Sequence, residues 1–170
     1  MAKSRASISL IWAAGAVLLM SASSSADEAD EGFRKGLTAF HRGEYATAIE
    51  VWKPLAEKEE AKSQAALGFM FDRGLGVAPD AEAAARWYLK AAEHGQAEGQ
   101  AMLGRLYLRG KGVPQNPVVA YAWCELALDR GGNGAGGCRS QALEKMRSHE
   151  EMLSAFRLTT VYRQRYASAH

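Results

Sequence analysis

Laid on itself with a shift of 36 residues, the chain matches through most of its middle: residues 61–95 (AKSQAALGFMFDRGLGVAPDAEAAARWYLKAAEHG) align with 97–131 (AEGQAMLGRLYLRGKGVPQNPVVAYAWCELALDRG). Identical pairs include Leu67/Leu103, Gly68/Gly104, Gly74/Gly110, Gly76/Gly112, Val77/Val113, Ala84/Ala120, Trp87/Trp123, Ala91/Ala127 and Gly95/Gly131. A fixed period of this size is the mark of one supersecondary unit stacked on copies of itself. Such a unit cannot bury its apolar face alone, so the copies must share a continuous core.

Each copy reads as two helices. Leu67, Met70 and Phe71 form an i, i+3, i+4 stripe, repeated by Leu103, Leu106 and Tyr107. Gly68 and Gly104 lie inside that helix, where glycine costs about 1 kcal/mol relative to alanine; their presence in both copies predicts close approach of a neighbouring helix. Gly74 and Gly110 follow the last periodic residue and predict left-handed caps. A second helix restarts near Asp80, or near Asn116 with Pro117 in its first turn. It carries Ala84, Trp87, Tyr88 and Ala91, matched by Ala120, Trp123, Cys124 and Ala127, and closes at Gly95 or Gly131. The tryptophans are expected to pack in the core rather than to stack on a ligand.

The chain opens with Lys3 and Arg5, then a run of 13 mostly apolar residues (ISLIWAAGAVLLM), then Ser24-Ser25-Ala26. A short basic region, an apolar core and a small-residue cleavage site read as a secretory signal peptide over 1–26, with an uncleaved N-terminal anchor as the alternative. The run is shorter than the roughly 20 residues that span a bilayer, so no membrane span is expected in a mature chain starting at Asp27. Without Lys3 and Arg5 the chain holds 19 basic and 19 acidic residues, and nucleic acid loses its electrostatic footprint as a ligand. The acidic start (Asp27, Glu28, Asp30, Glu31) and the basic end (Arg157, Arg163, Arg165) read as solvated termini.

After Gly131 the repeat lapses into a Gly-rich stretch over 132–137. It spells G-x-G-x-x-G, but that pattern cradles phosphate only between a strand and a helix; here it reads as an inter-helix loop. A helix from about Cys138 to Arg147 should follow. Ser148 and Glu151 then form an S-x-x-E box opening a last helix with Met152, Leu153 and Phe156 on its apolar face. Residues 138–170 thus cap the stack, with Tyr162, Arg163, Arg165 and Tyr166 as an alternative contact for an acidic partner. Cys124 and Cys138 are the two cysteines of the chain. An even count in an exported protein favours a disulfide, worth roughly 3 kcal/mol for a loop of this length; two separate buried thiols are the alternative. His41, His94, His149 and His170 have no zinc spacing, and neither S-x-x-K nor G-x-S-x-G occurs. No catalytic residue, metal or cofactor is expected.

The two motifs ALGFMFDRGLGVAPDAEAAARWYLKAAEHG and MLGRLYLRGKGVPQNPVVAYAWCELALDRG resemble the Sel-one-like repeat family, a branch of the tetratricopeptide superfamily. Both show a Leu-Gly pair, an aromatic, Gly-x-Gly-Val, an Asp or Asn, Ala-x-x-Trp and a closing Gly. Residues 33–60 resemble a degenerate first unit (Ala39-Phe40, Gly43-Glu44-Tyr45, Ala48, Trp52-Lys53-Pro54-Leu55-Ala56) with an inter-helix loop five residues shorter. Residues 27–60 are thus an acidic start and first helix pair, followed by units at 61–96 and 97–131. The resemblance implies an all-α, right-handed solenoid of antiparallel helix pairs. It also supports the Cys124–Cys138 pairing, since some members tie adjacent helices with cysteines.

Family members present a concave surface lined by the first helix of each pair. Positions there that break the repeat are where specificity can vary: Phe69 against Arg105 and Asp72 against Leu108, with Arg73 and Arg109 kept. These six residues form the expected groove for another protein; the alternative is packing between repeats for Phe69 and Leu108, and charge complementarity at helix C-termini for the arginines. The expected function is a periplasmic or secreted interaction scaffold. An envelope factor binding peptidoglycan or polysaccharide stands second. Relatives associated with β-lactam binding put a hydrolase of β-lactam type third.

Overall fold

The computed structural model describes the backbone of residues 10–166 and the side chains of residues 26–166. Lys3 and Arg5, which open the expected signal peptide, lie outside the described residues. Eight helices follow one another without a strand among the described residues: α1 (Leu10–His41), α2 (Tyr45–Glu57), α3 (Ala61–Arg73), α4 (Ala81–Glu93), α5 (Ala97–Arg109), α6 (Pro117–Asp129), α7 (Ala135–Lys145) and α8 (His149–Tyr166). None of them is long and apolar enough to cross a membrane. Each of α1 to α6 packs on the next, and α5 also touches α3 and α7, so the pairs stack as a solenoid.

Local chemistry sets the boundaries. Asp80 Oδ1 accepts from Ala83 N at 2.8 Å and Asn116 Oδ1 from Val119 N at 3.1 Å, satisfying amides that α4 and α6 leave free, and Pro117 sits in the first turn. Gly74 and Gly110 cap α3 and α5 at φ 67° and 68°, in the left-handed region where a Cβ is costly. The first helices use longer caps: Glu60 accepts from Lys62 N and Ser63 N, and Gln96 accepts from Gly99 N.

The units are joined by buried polar contacts as well as by apolar packing. Gln64 and Gln100, both buried and 36 residues apart, each donate Nε2 to a carbonyl at the end of the preceding helix, Ala56 and Ala92, at 3.0 Å. A donor there replaces the water that a frayed helix end would otherwise need. Gly68 lies beneath the ring of Tyr88, where an added Cβ would sit 2.7 Å from the ring, and Gly104 lies beneath Cys124. Both glycines allow the close helix approach their repetition predicts. Gly36 lies in the same way beneath Trp52, whose Nε1 donates to the Phe33 carbonyl at 3.2 Å. Trp52 therefore stands in the register of Tyr88 and Cys124. The loop between α1 and α2, residues 42–44, is four residues shorter than 74–80, not five.

The C-terminal segment closes the stack. The Cys124–Cys138 disulfide is present, with Cα atoms 5.9 Å apart, and ties α6 to α7. Helix α7 starts at Ala135, three residues before Cys138 and inside the Gly-rich stretch, because Ala135 is buried against Ala101 and Ala127. Ser148 Oγ accepts from Glu151 N at 3.1 Å, and the Glu151 carboxylate reaches back to the amide of Arg147. Helix α8 then lies along α6. Tyr162 and Tyr166 cover Trp123 at ring distances of 4.7 and 5.4 Å, and Arg163 grips Asp129 with two hydrogen bonds of 2.7 and 3.1 Å. Three of the four residues offered as an alternative contact for an acidic partner are thereby committed within the fold.

Trp87 and Trp123 share a register but not an environment. Trp123 is 2% exposed, whereas Trp87 is half-buried with the Lys90 ammonium 4.5 Å from its ring centre. Core packing thus describes Trp123 fully and Trp87 only in part. Helix α8 covers α6, and among the described residues no helix packs on α4 in the same way.

Candidate functional site

Two adjoining cavities run along the side of the solenoid lined by the first helices. The first, of about 510 Å³, is walled by Phe33, Leu37 and Phe40 from α1, by Ala65, Ala66 and Phe69 from α3, and by Glu98 and Met102 from α5. Trp52 and Tyr88 reach it from the second helices, and Lys62 and Gln96 complete the lining. Its aromatic rings brace one another: Phe40 lies 6.0 Å from Phe69 and 6.1 Å from Trp52. The second cavity, of about 320 Å³, is lined by Asp72, Arg73, Met102, Arg105, Leu106, Arg109 and Lys111. Met102 belongs to both, so an apolar trough passes directly into a basic cleft.

The cleft holds four cationic side chains and one carboxylate. Lys111 Nζ binds Asp72 Oδ1 at 2.6 Å, while Arg73 Nε stays 3.9 Å from the same carboxylate. Arg73 and Arg109 are exposed. The Arg73 guanidinium lies 5.7 Å from the Phe69 ring centre, at the junction of trough and cleft. Arg105 donates to the Asn133 carbonyl at 3.1 Å, and its guanidinium rests against Gly134 where a side chain would stand. The Gly-rich stretch is thereby tied to Arg105 at the edge of the cleft.

Of the six residues read from the sequence as a groove, Phe69, Asp72, Arg73, Arg105 and Arg109 line these two cavities. Leu108 does not. It is 3% exposed and packs in the cluster of Tyr121, Cys138 and Ala142. It shares its register with Asp72, but that position faces the next unit, and α7 covers it where the stack ends. Asp72 has a side chain only 9% exposed and is held by Lys111, so it links the units rather than offering a free charge. The α1 wall is absent from the sequence reading, although Phe33, Leu37 and Phe40 fall at i, i+4, i+7 and signal an apolar helix face.

Among the described residues Ser63, Tyr88, Gln100, Arg130 and Arg139 each carry a buried polar atom without a partner, and of these only Tyr88 lines the trough. It is 1% exposed and lines the trough, yet its hydroxyl has no hydrogen-bond partner among the described residues. Burial, reinforced by the carboxylates of Asp72 and Glu98, pushes its phenol well above the usual range, so it stays a neutral O–H. Among the described residues no group of three or more His, Cys, Asp and Glu is placed to hold a metal ion.

The Sel1 repeat family model matches residues 61–96 and 97–132. The chain carries two Sel1 repeats. Its all-helical fold is that of a Sel1 solenoid in the tetratricopeptide-like superfamily. A protective antigen present in uropathogenic Escherichia coli strains and displaying an SLR fold superposes with a TM-score of 0.77 at 31% identity, over 84% of this chain and 32% of that one. A Sel1 repeat protein from Oxalobacter formigenes superposes with a TM-score of 0.62 at 27% identity, over 81% of this chain and 59% of that one. The chain thus spans about a third of the first structure and under two thirds of the second. No curated protein matches the chain. Sel1 repeats generally form non-catalytic scaffolds that mediate protein–protein binding.

Proposed function

We propose that this Sel1-repeat protein is an exported scaffold of the cell envelope. It holds another protein by a segment laid along α1, α3 and α5, and it performs no chemistry of its own. The observation that carries this reading is the continuous passage from an apolar trough to a cleft with surplus guanidinium groups. Specific protein recognition combines these elements: apolar and aromatic anchors supply affinity, and charge supplies orientation and selectivity.

Export rests on the Lys3–Arg5 region, the apolar run and the small residues before Asp27, with residues 1–26 removed. The disulfide fits an oxidising compartment. In this reading the mature chain comprises the acidic start and first helix pair (27–60), two full units (61–96, 97–131), the Gly-rich stretch (132–137) and the cap (138–170). Sequencing the N-terminus of protein recovered from the periplasm should return Asp27.

Binding of peptidoglycan or polysaccharide is the second reading. It needs flat aromatic faces open to sugar rings, whereas the trough rings pack on one another and Lys90 lies over Trp87. The deciding experiment is an affinity pull-down from envelope extract with the wild type and an Arg73→Glu/Arg109→Glu double variant. Both arginines are exposed, so the fold should tolerate the change. Loss of a protein partner with the variant supports the scaffold. Identical partners with both proteins refute the groove, and recovery of glycan without protein favours the second reading.

A further inference from the structure

In each helix pair of the stack a bulky or sulfur-bearing side chain rests on a glycine of the pair's first helix: Trp52 on Gly36, Tyr88 on Gly68, Cys124 on Gly104. Two of these three have their reactive or polar atom engaged within the chain. Trp52 Nε1 donates to the Phe33 carbonyl and Cys124 is bonded to Cys138. Tyr88 alone is left with a buried hydroxyl that nothing satisfies among the described residues. A phenylalanine would fill the same space without that cost, because a buried unpaired hydroxyl is a net loss to folding. Other buried polar atoms of the described residues are also unpaired, but Tyr88 is the one whose side chain lines the trough, which makes its hydroxyl a candidate for binding.

Position says what it binds. Tyr88 lines the trough, and the charges that act on its phenol are those of Asp72, Glu98, Arg73 and Arg105, which belong to the rims of trough and cleft. The hydroxyl is carried by a side chain of the trough wall, and the trough opens into the cleft at Met102. Being a neutral O–H, it donates to an acceptor such as a backbone carbonyl. On one side is a cavity sized for a large apolar side chain; on the other, the exposed Arg109 and Arg73, the latter only loosely paired with Asp72 at 3.9 Å, present guanidinium groups to a carboxylate. We propose that the Tyr88 hydroxyl is a partner-recognition group. It donates to a backbone carbonyl of a protein segment that places a bulky apolar residue in the trough and an acidic residue in the cleft.

This inference rests on the scaffold reading above, and the test separates the two. Random displayed peptides are selected on the purified protein, and the enriched sequences are synthesised. Their affinities are then measured for wild type, Tyr88→Phe, Phe69→Ala and Arg73→Glu/Arg109→Glu. Enriched peptides should pair a large apolar residue with Asp or Glu. Tyr88→Phe should bind them roughly tenfold more weakly, the loss expected of one hydrogen bond whose partner is left unpaired. The same variant should melt at an equal or higher temperature than wild type. That opposition of sign is one a purely structural tyrosine cannot produce. In wild type, peptide addition should also shift the ¹³Cζ resonance of Tyr88, a readout independent of any variant. Unchanged affinity in Tyr88→Phe and an unmoved resonance, with loss in the other two variants, would overturn the tyrosine's role and leave the scaffold standing. Failure to enrich any peptide, or enrichment of peptides that bind every variant equally, would overturn both.

Discussion

Tyr88 and Cys124 occupy one register in successive Sel1 units, each lying over a glycine and each buried, and they sit in opposite surroundings. Around Cys124 the second unit is closed: a disulfide ties it to α7, Leu108 packs beneath that helix, and α8 covers Trp123. Around Tyr88 the first unit stays open: the phenol is unpartnered, Asp72 replaces Leu108, and Trp87 is half-buried. The repeat dictates where a helix goes. What happens at each repeated position depends on whether another element lies over it.

The contrast can be broken most directly at the tryptophans. Trp123→Ala should cost about 3–5 kcal/mol, the range for a fully buried tryptophan; Trp87→Ala should cost clearly less, since Trp87 is partly solvated already. Urea titration of both variants measures the gap, and equal losses would contradict the asymmetry. Next in size is the disulfide. Replacing Cys124 and Cys138 together by Ser should lower stability by about 3 kcal/mol in the chain-entropy model, read as a lower denaturation midpoint under non-reducing conditions. Gly68→Ala should then cost about 1–3 kcal/mol through overpacking against Tyr88, and calorimetry of a double-mutant cycle with Tyr88→Ala should show a combined loss smaller than the sum of the two single losses.

A smaller effect of opposite sign sharpens the comparison at the edge of the first full unit. Glu59 takes φ 66° at the register of Gly95 and Gly131, a conformation that costs a side-chain-bearing residue about 1 kcal/mol or more. Glu59→Gly should therefore stabilise by up to about 1 kcal/mol, seen as a raised melting temperature. The smallest effect lies in α1. Lys62 bonds Asp30 at 2.7 Å and holds its carboxyl below the usual range. The contribution of this pair is complete above the ordinary carboxylate pKa and disappears as pH falls through the lowered value. Amide exchange in α1 should accordingly quicken on acidification before exchange in α6 does.

Much of this was legible in the residues. The period, the glycine caps, Asp80, Asn116 and the capping box are local signals whose physics acts within a few residues, and each produces the element it predicts. The cysteine pair followed from compartment and count together with resemblance. The site was only half legible. A position where two copies differ can mark a variable surface, as at Phe69, or simply the end of the stack, as at Leu108, and no pattern within the repeat separates the two. The α1 wall escaped because its unit is degenerate, and the shared Gln64 and Gln100 look like surface residues until the helix ends they satisfy are seen. Tyr88 reads as core, and it is core; only the missing partner of its hydroxyl sets it apart.

One end of this solenoid is covalently closed and the other is not, which gives it a mechanical direction. Force or thermal agitation applied along the stack would peel α1 and α2 away first, since the N-terminal pair has no covalent tie among the described residues, and would stall at the bridge between α6 and α7. A partner gripping the trough spans α1, α3 and α5 and so fastens the end that peels first. If the proposed scaffold role holds, bound cargo and scaffold would then protect each other from unravelling and from the proteases that attack frayed helices.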